Sequence, residues 1–184
     1  MKHLEIEMKT LLNKDEYQRL QEHFSGVTPI TQKNYYLDTP DFYLRKHKIA
    51  MRIRTFENSA ELTIKIPQKV GNMEYNQSLS LEEANHCLKE CKLPQGMILD
   101  ELTSRGLSTS GWVVLGCLTT IRYEKQTPIG LMALDQSQYF DIVDYELELE
   151  VEDGNQGSLD FQEFLQDNEI HYKKAPSKLV RFIE

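Results

Sequence analysis

Six stretches of this chain alternate charged or polar residues with apolar ones, each keeping the charges on one parity. In LEIEMK, Glu5, Glu7 and Lys9 oppose Leu4, Ile6 and Met8. In AMRIRTF, Arg52 and Arg54 oppose Met51 and Ile53, and in ELTIKIP, Glu61, Thr63 and Lys65 oppose Leu62, Ile64 and Ile66. MEYNQSLS sets Glu74, Asn76 and Ser78 against Met73, Tyr75 and Leu79. TTIRYEK sets Thr120, Arg122 and Glu124 against Ile121 and Tyr123. DYELELEVED sets Glu146, Glu148, Glu150 and Glu152 against Tyr145, Leu147, Leu149 and Val151. Period two marks strands with unlike faces. For one such strand, an antiparallel sheet with one side on the core and one in water is explanation enough. Here arginines and carboxylates gather at strand centres, and same-face glutamates repel one another unless a cation joins them. A sheet closed into a barrel resolves this: helices cover an apolar outside, and the charges point into the lumen.

The remaining segments supply the helices. Asn13 with Glu16 three residues on predicts a capped helix with Tyr17, Leu20 and Phe24 on one stripe, ended by Gly26. QKNYYLD reads as a second strand, DFYLRK as a short helical turn, and KIAMRIRTF and ELTIKIP as a hairpin. Ser80 with Glu83 opens a helix through EEANHCLKEC, and another follows around ILDELTSRG. Strands return in WVVLGCLTTIRYEKQ, IGLMALDQ and DYELELEVED, and Ser158 is expected to cap a helix through LDFQEFLQD. The total is about eight strands. With 184 residues, 40% of them hydrophobic, and no low-complexity linker, residues 1–184 read as a single α+β domain built on antiparallel sheet.

The net charge of −8 argues against capture of DNA or long RNA and against a polybasic membrane contact. No apolar run suits a signal peptide or a membrane span, and Cys87, Cys91 and Cys117 read as reduced thiols, so the expected setting is cytoplasmic. His3, His23, His47, His86 and His171 lack metal-ligand spacing and read as surface residues. Trp112 and most tyrosines and phenylalanines read as core. Tyr36 and Asp38, which share a strand face, stand apart as candidates for a place beside the cavity. No glycine-rich phosphate loop is present.

The charged faces themselves carry chemistry. Glu5 and Glu7, about 7 Å apart along a strand, and the Glu146, Glu148 and Glu150 run offer hard oxygen ligands, which suit Mg²⁺ or Mn²⁺. Lys9, Arg52, Arg54, Lys65, Arg122 and the lysines of the tail would face them as cations. A cavity with divalent ions on one side and Arg or Lys on the other is suited to a chain of phosphates.

At this point the sequence resembles the CYTH superfamily, the triphosphate tunnel metalloenzymes. EIEMK matches that family's Glu-x-Glu-x-Lys first strand. YYLDTP, AMRIR, LTIK, MEYN, TIR, LMALD, ELELE and the final Ser177-Lys178 follow in the family's order over nearly the whole chain. The resemblance implies an eight-stranded antiparallel barrel forming a tunnel. It implies Glu5, Glu7, Glu148 and Glu150 as metal ligands, with Asp135 and Glu146 as further candidates; which two of the three late glutamates bind is open from parity. It implies Lys9, Arg52, Arg54, Lys65, Arg122 and Lys178 as phosphate binders, with Lys174 nearby, and Glu148 and Lys65 as catalytic. His47-Lys48 stands before AMRIR where relatives often carry glycine, which implies a differently shaped turn. The expected activity is Mg²⁺- or Mn²⁺-dependent hydrolysis of inorganic triphosphate or a small organic triphosphate. The alternatives are a class IV adenylate cyclase, an RNA 5′-triphosphatase, or a non-catalytic module that binds polyphosphate or a nucleotide.

Overall fold

The computed structural model describes residues 1–184. Eight antiparallel strands close into a barrel in the order β1-β5-β4-β3-β2-β6-β7-β8. The strands are β1 (Lys2–Leu12), β2 (Ile30–Asp38), β3 (Ala50–Thr55), β4 (Ala60–Pro67), β5 (Asn72–Leu79), β6 (Val113–Thr127), β7 (Gly130–Tyr139) and β8 (Ile142–Val151). Six helices accompany them: α1 (Lys14–Leu20), α2 (Tyr43–Lys46), α3 (Leu81–Glu90), α4 (Met97–Ser104), α5 (Gly154–Asp167) and α6 (Lys178–Ile183). No helix is long and apolar enough to cross a membrane. The chain divides into two compact units, Met1–Leu4 with Gln32–Leu118, and Glu5–Thr31 with Thr119–Glu184.

In the first unit, β3, β4 and β5 pair in register as Arg54 with Glu61, Arg52 with Thr63, Thr63 with Asn76, and Lys65 with Glu74. The other parity of these strands, Met51, Ile53, Leu62, Ile64 and Tyr75, joins Ala84 and Cys87 of α3 and Ile98 and Leu102 of α4 in one buried cluster, which also takes in Trp112. An eight-stranded barrel has room inside for side chains but not for helices. The helix-covered apolar face is therefore the outer one, and the charged parity is the inner one. Ser80 caps α3 as expected, with Glu83 returning the bond to the Ser80 backbone. The turn before β3 places Lys48 at φ 60, so the left-handed backbone that a glycine would take without strain is present here on a lysine.

The second unit repeats the arrangement. Met132 and Leu134 of β7 and Leu147 and Leu149 of β8 meet Tyr17 and Leu20 of α1 and Phe161 and Leu165 of α5. The α1 helix stops at Leu20 and tightens into a 3₁₀ turn, Gln21–Phe24, that keeps Phe24 on the same buried stripe. In the β6–β7 turn, Gly130 has φ 145, and a Cβ there would collide with the Glu150 carbonyl oxygen. Only glycine lets β7 lie this close to β8. The expectation that Ser158 caps the following helix is corrected: Asp153 does so five positions before it, accepting from the Asn155 and Gln156 N–H groups at 2.9 and 3.1 Å. Gly157 lies inside this helix because a side chain there would strike Val151. The tail, given no element from sequence, forms α6, capped by Ser177.

Glu16 ties α1 to the segment before α6. It is 3% exposed and accepts from Asn13 N–H (2.8 Å), Lys173 Nζ (2.8 Å) and His171 N–H (3.2 Å). Burial alone would raise its pKa, but these hydrogen bonds and the lysine charge leave it below the usual value. A depressed carboxyl contributes stability that is complete above its unfolded pKa, near 4.3, and is lost as the pH falls through its folded value. Glu16→Gln is expected to cost about 1–3 kcal/mol at pH 7. In urea titrations at pH 7 and pH 3 that deficit should shrink at the lower pH; an equal deficit at both would refute the assignment.

Candidate metal and phosphate site

Cross-strand register decides which inner side chains of the second unit meet. Asp135 on β7 pairs with Glu146 on β8 and with Arg122 on β6. Asp135 is 0% and Glu146 1% exposed, and with Glu148 they bring three ligand atoms within 4.8 Å of one another. Lys178 reaches in from α6 and places its ammonium against all three, at 2.9 Å from Asp135, 2.5 Å from Glu146 and 2.7 Å from Glu148. Arg122 grips Asp135 with two bonds of 2.8 and 2.7 Å and reaches Glu148 at 3.0 Å. Of the three late glutamates, Glu146 and Glu148 therefore join Asp135, whereas Glu150 stands opposite Glu7 across β1–β8. Like charges facing each other there call for positive charge between them.

The electrostatics follow from this packing. Burial would raise Asp135, but Arg122 and Lys178 reverse that and leave it lowered. The same two cations overcome burial at Glu148 and hold it well below the carboxylate range. Burial pushes Glu146 up to about 7, with Lys178 pulling down and Glu148 pushing up. Lys178 and Arg122, though buried, are raised well above their ordinary values by the carboxylates around them. A carboxylate held as low as Glu148 suits a ligand or counter-ion better than a base, which needs a pKa near the working pH.

Lys9 on β1 pairs with Glu148 on β8 and lies 3.6 Å from Glu7. Glu5 lies on the same face of β1 as Glu7, with His3 two residues before it. His3 and Glu74 bring ligand atoms within 4.8 Å of each other, and His3 is half-buried. The surface reading of His3 is corrected on that account, because its parity is that of Glu5 and Glu7; the other four histidines are exposed. Lys174 is exposed on the segment before α6 and takes no part in the cluster.

The first unit carries charged side chains of its own. Arg54 donates from Nε to Asn34 at 2.6 Å and lies 3.8 Å from Glu61, while Lys65 lies 3.3 Å from Glu74. Thr63, Asn76 and Glu74 form a hydrogen-bonded chain, at 2.6 and 2.8 Å. Arg52 differs: its buried Nε has no hydrogen-bond partner, and a guanidinium with spare donors is ready for an oxyanion. Tyr36, buried, lies opposite Arg52. Asp38 is spent on structure, accepting from the backbone N–H groups of Thr39, Leu44 and Arg45.

Two residues of the cluster were not singled out from the sequence. Arg181 donates to Glu146 at 2.6 Å and lies 3.2 Å from Asp144, and Asp144 also accepts from the Tyr139 hydroxyl at 2.8 Å. The signal was present: Asp144 shares parity with Glu146, and Lys178 and Arg181 are three apart, hence on one face of a helix.

Comparison with known proteins agrees with the fold. A family model for the CYTH domain matches residues 3–183. The Bacillus subtilis (strain 168) protein named Putative triphosphatase YjbK is 35% identical over 183 residues, covering 98% of this chain and 95% of that protein. The crystal structure of a "putative adenylate cyclase" from Bacillus halodurans has a TM-score of 0.93 at 34% identity, over 100% of this chain and 99% of that one. The Hippeastrum protein HpAC1 shares the fold, with a TM-score of 0.85 at 22% identity over 98% and 95% of the two chains. The chain belongs to the CYTH domain family.

Proposed function

We propose that this chain is a divalent-metal-dependent triphosphatase that releases the terminal phosphate of inorganic triphosphate or a small organic triphosphate. The observation that carries the reading is the position of the Lys178 ammonium, a cation held by Asp135, Glu146 and Glu148 together. Three carboxylates around one positive charge form a hard-oxygen donor set fitted to Mg²⁺ or Mn²⁺. On this reading Asp135, Glu146 and Glu148 hold a metal, with Glu5, Glu7 and Glu150 as further ligands. When bound, the ion neutralises phosphate oxygens and lowers the pKa of a coordinated water. Arg52, Arg54, Lys65 and Lys9 bind phosphate oxygens, with Lys65 the catalytic cation among them. Arg122 and Lys178 orient the carboxylates and exchange partners with phosphate when the site is filled. The name of the Bacillus subtilis relative supports this reading, and that of the Bacillus halodurans relative keeps a cyclase as the runner-up.

The test is product identification with inorganic triphosphate, ATP and thiamine triphosphate in Mg²⁺ or Mn²⁺, with Glu7→Gln as control. Phosphate release that needs metal and is lost in the variant is the expected result. Cyclic AMP with pyrophosphate would favour the cyclase, and tight triphosphate binding without turnover would leave a binding module.

A further inference from the structure

The β7–β8 connection is a two-residue hairpin, Phe140-Asp141, closed by the Tyr139 and Ile142 pair. Phe140 lies at φ 53, a left-handed conformation that such turns normally assign to glycine or asparagine. A bulky aromatic is disfavoured there, and it gains little by burial, since Phe140 is 72% exposed. One face of its ring stacks on Phe182 of α6 at 5.1 Å and 19°, and its edge meets Tyr139 at 6.4 Å. Exposed Ile142 and Val143 flank it. A strained, exposed ring backed by a second ring is a flat surface awaiting another flat surface.

Hydrogen bonds and ion pairs link this surface to the charged cluster. Tyr139, beneath Phe140, donates to Asp144. Arg181, next to Phe182 on α6, bonds Asp144 and Glu146, and Lys178, one turn earlier, bonds Glu146, Glu148 and Asp135. Along β8, Ile142 and Glu146 are about 13 Å apart, a span that takes the linker to the aromatic group together with the triphosphate tail.

We infer that Phe140 is a stacking platform for a flat aromatic group esterified to the triphosphate, and that it biases the site toward an aromatic organic triphosphate over inorganic triphosphate. The inference rests on the triphosphate reading above and names the substrate class of that same site. Phe182 backs the platform, and the cations of α6 lead from it to the carboxylates.

Phe140→Gly removes the ring and relieves the left-handed backbone, so the variant keeps its fold; Phe140→Trp enlarges the platform. Two readouts apply to each variant: the ratio of kcat/KM for ATP to that for inorganic triphosphate, with Mg²⁺, and the ratio of calorimetric affinities for a non-hydrolysable ATP analogue and tripolyphosphate. Base stacking on an aromatic side chain predicts a fall in both ratios of roughly tenfold for Phe140→Gly, with recovery in Phe140→Trp. A parallel loss on both ligands would overturn the inference, because the ring would then only hold α6. Unchanged ratios would overturn it too, and a simultaneous change in sedimentation would mark the patch as a contact between copies of the chain. If the wild-type protein neither hydrolyses nor binds any triphosphate, the triphosphate reading itself has failed, and that shows before any variant is compared.

Discussion

Asp135→Asn is expected to lower metal-dependent triphosphate hydrolysis on the order of a thousand-fold, about 4 kcal/mol of transition-state stabilisation. The residue is fully buried, belongs to the carboxylate trio, and is the only member of it that β7 supplies. Asparagine preserves shape and one acceptor for Arg122, so the change removes charge with little loss of packing. Steady-state rates at saturating Mg²⁺, with circular dichroism to confirm the fold, decide it. A variant within tenfold of wild type would remove Asp135 from the metal site. Raising Mg²⁺ should recover part of the loss if the defect is affinity, and none if it lies in the chemical step.

The second large effect concerns stability. Lys178→Met deletes the cation that Asp135, Glu146 and Glu148 share, leaving buried carboxylates short of positive charge. Breaking a buried ion pair from one side costs about 3–5 kcal/mol, which for a chain of this size lowers Tm by roughly 10 °C. Because Lys178 is raised well above its ordinary pKa, its contribution is complete at neutral pH and is lost only as the pH rises through that elevated value. In the presence of chelator the variant should show the full deficit. Added Mg²⁺ or Mn²⁺ should then stabilise the variant more than the wild type, because the metal takes up the charge the ammonium supplied. Equal Tm values in chelator, or equal metal effects on both proteins, would refute the shared-site reading.

Period two made most of the inner faces legible, because a strand allows its side chains only two directions. Glu5, Glu7, Lys9, Arg52, Arg54, Lys65 and Arg122 could be grouped without coordinates for that reason. Depth along a strand is a different quantity, set by register with a neighbour. Glu146, Glu148 and Glu150 are equivalent by parity, and only the pairing of Asp135 with Glu146 separates them. The start of α5 was misplaced because Asp153 and Ser158 are both good caps and two glycines weaken the helical pattern between them. The short α6 has too few residues to show a periodic stripe, so Arg181 stayed hidden. Lys174 was drawn in by its nearness in sequence to Lys178, but the extended segment before α6 leaves it facing solvent.

The register of β1 against β8 also bears on how the chain is made. Glu7 pairs with Glu150, so the first strand leaves the ribosome about 140 residues ahead of its partner. At roughly 5–20 residues per second, the edge of β1 that faces β8 waits about 7–28 s unpaired, whereas β5 reaches the other edge sooner. An uncharged strand of alternating Ile, Leu and Met would be an aggregation hazard over that interval. The glutamates and lysine on its other face keep the nascent segment soluble until β8 arrives, so the same charges protect the chain during synthesis and line its interior afterwards.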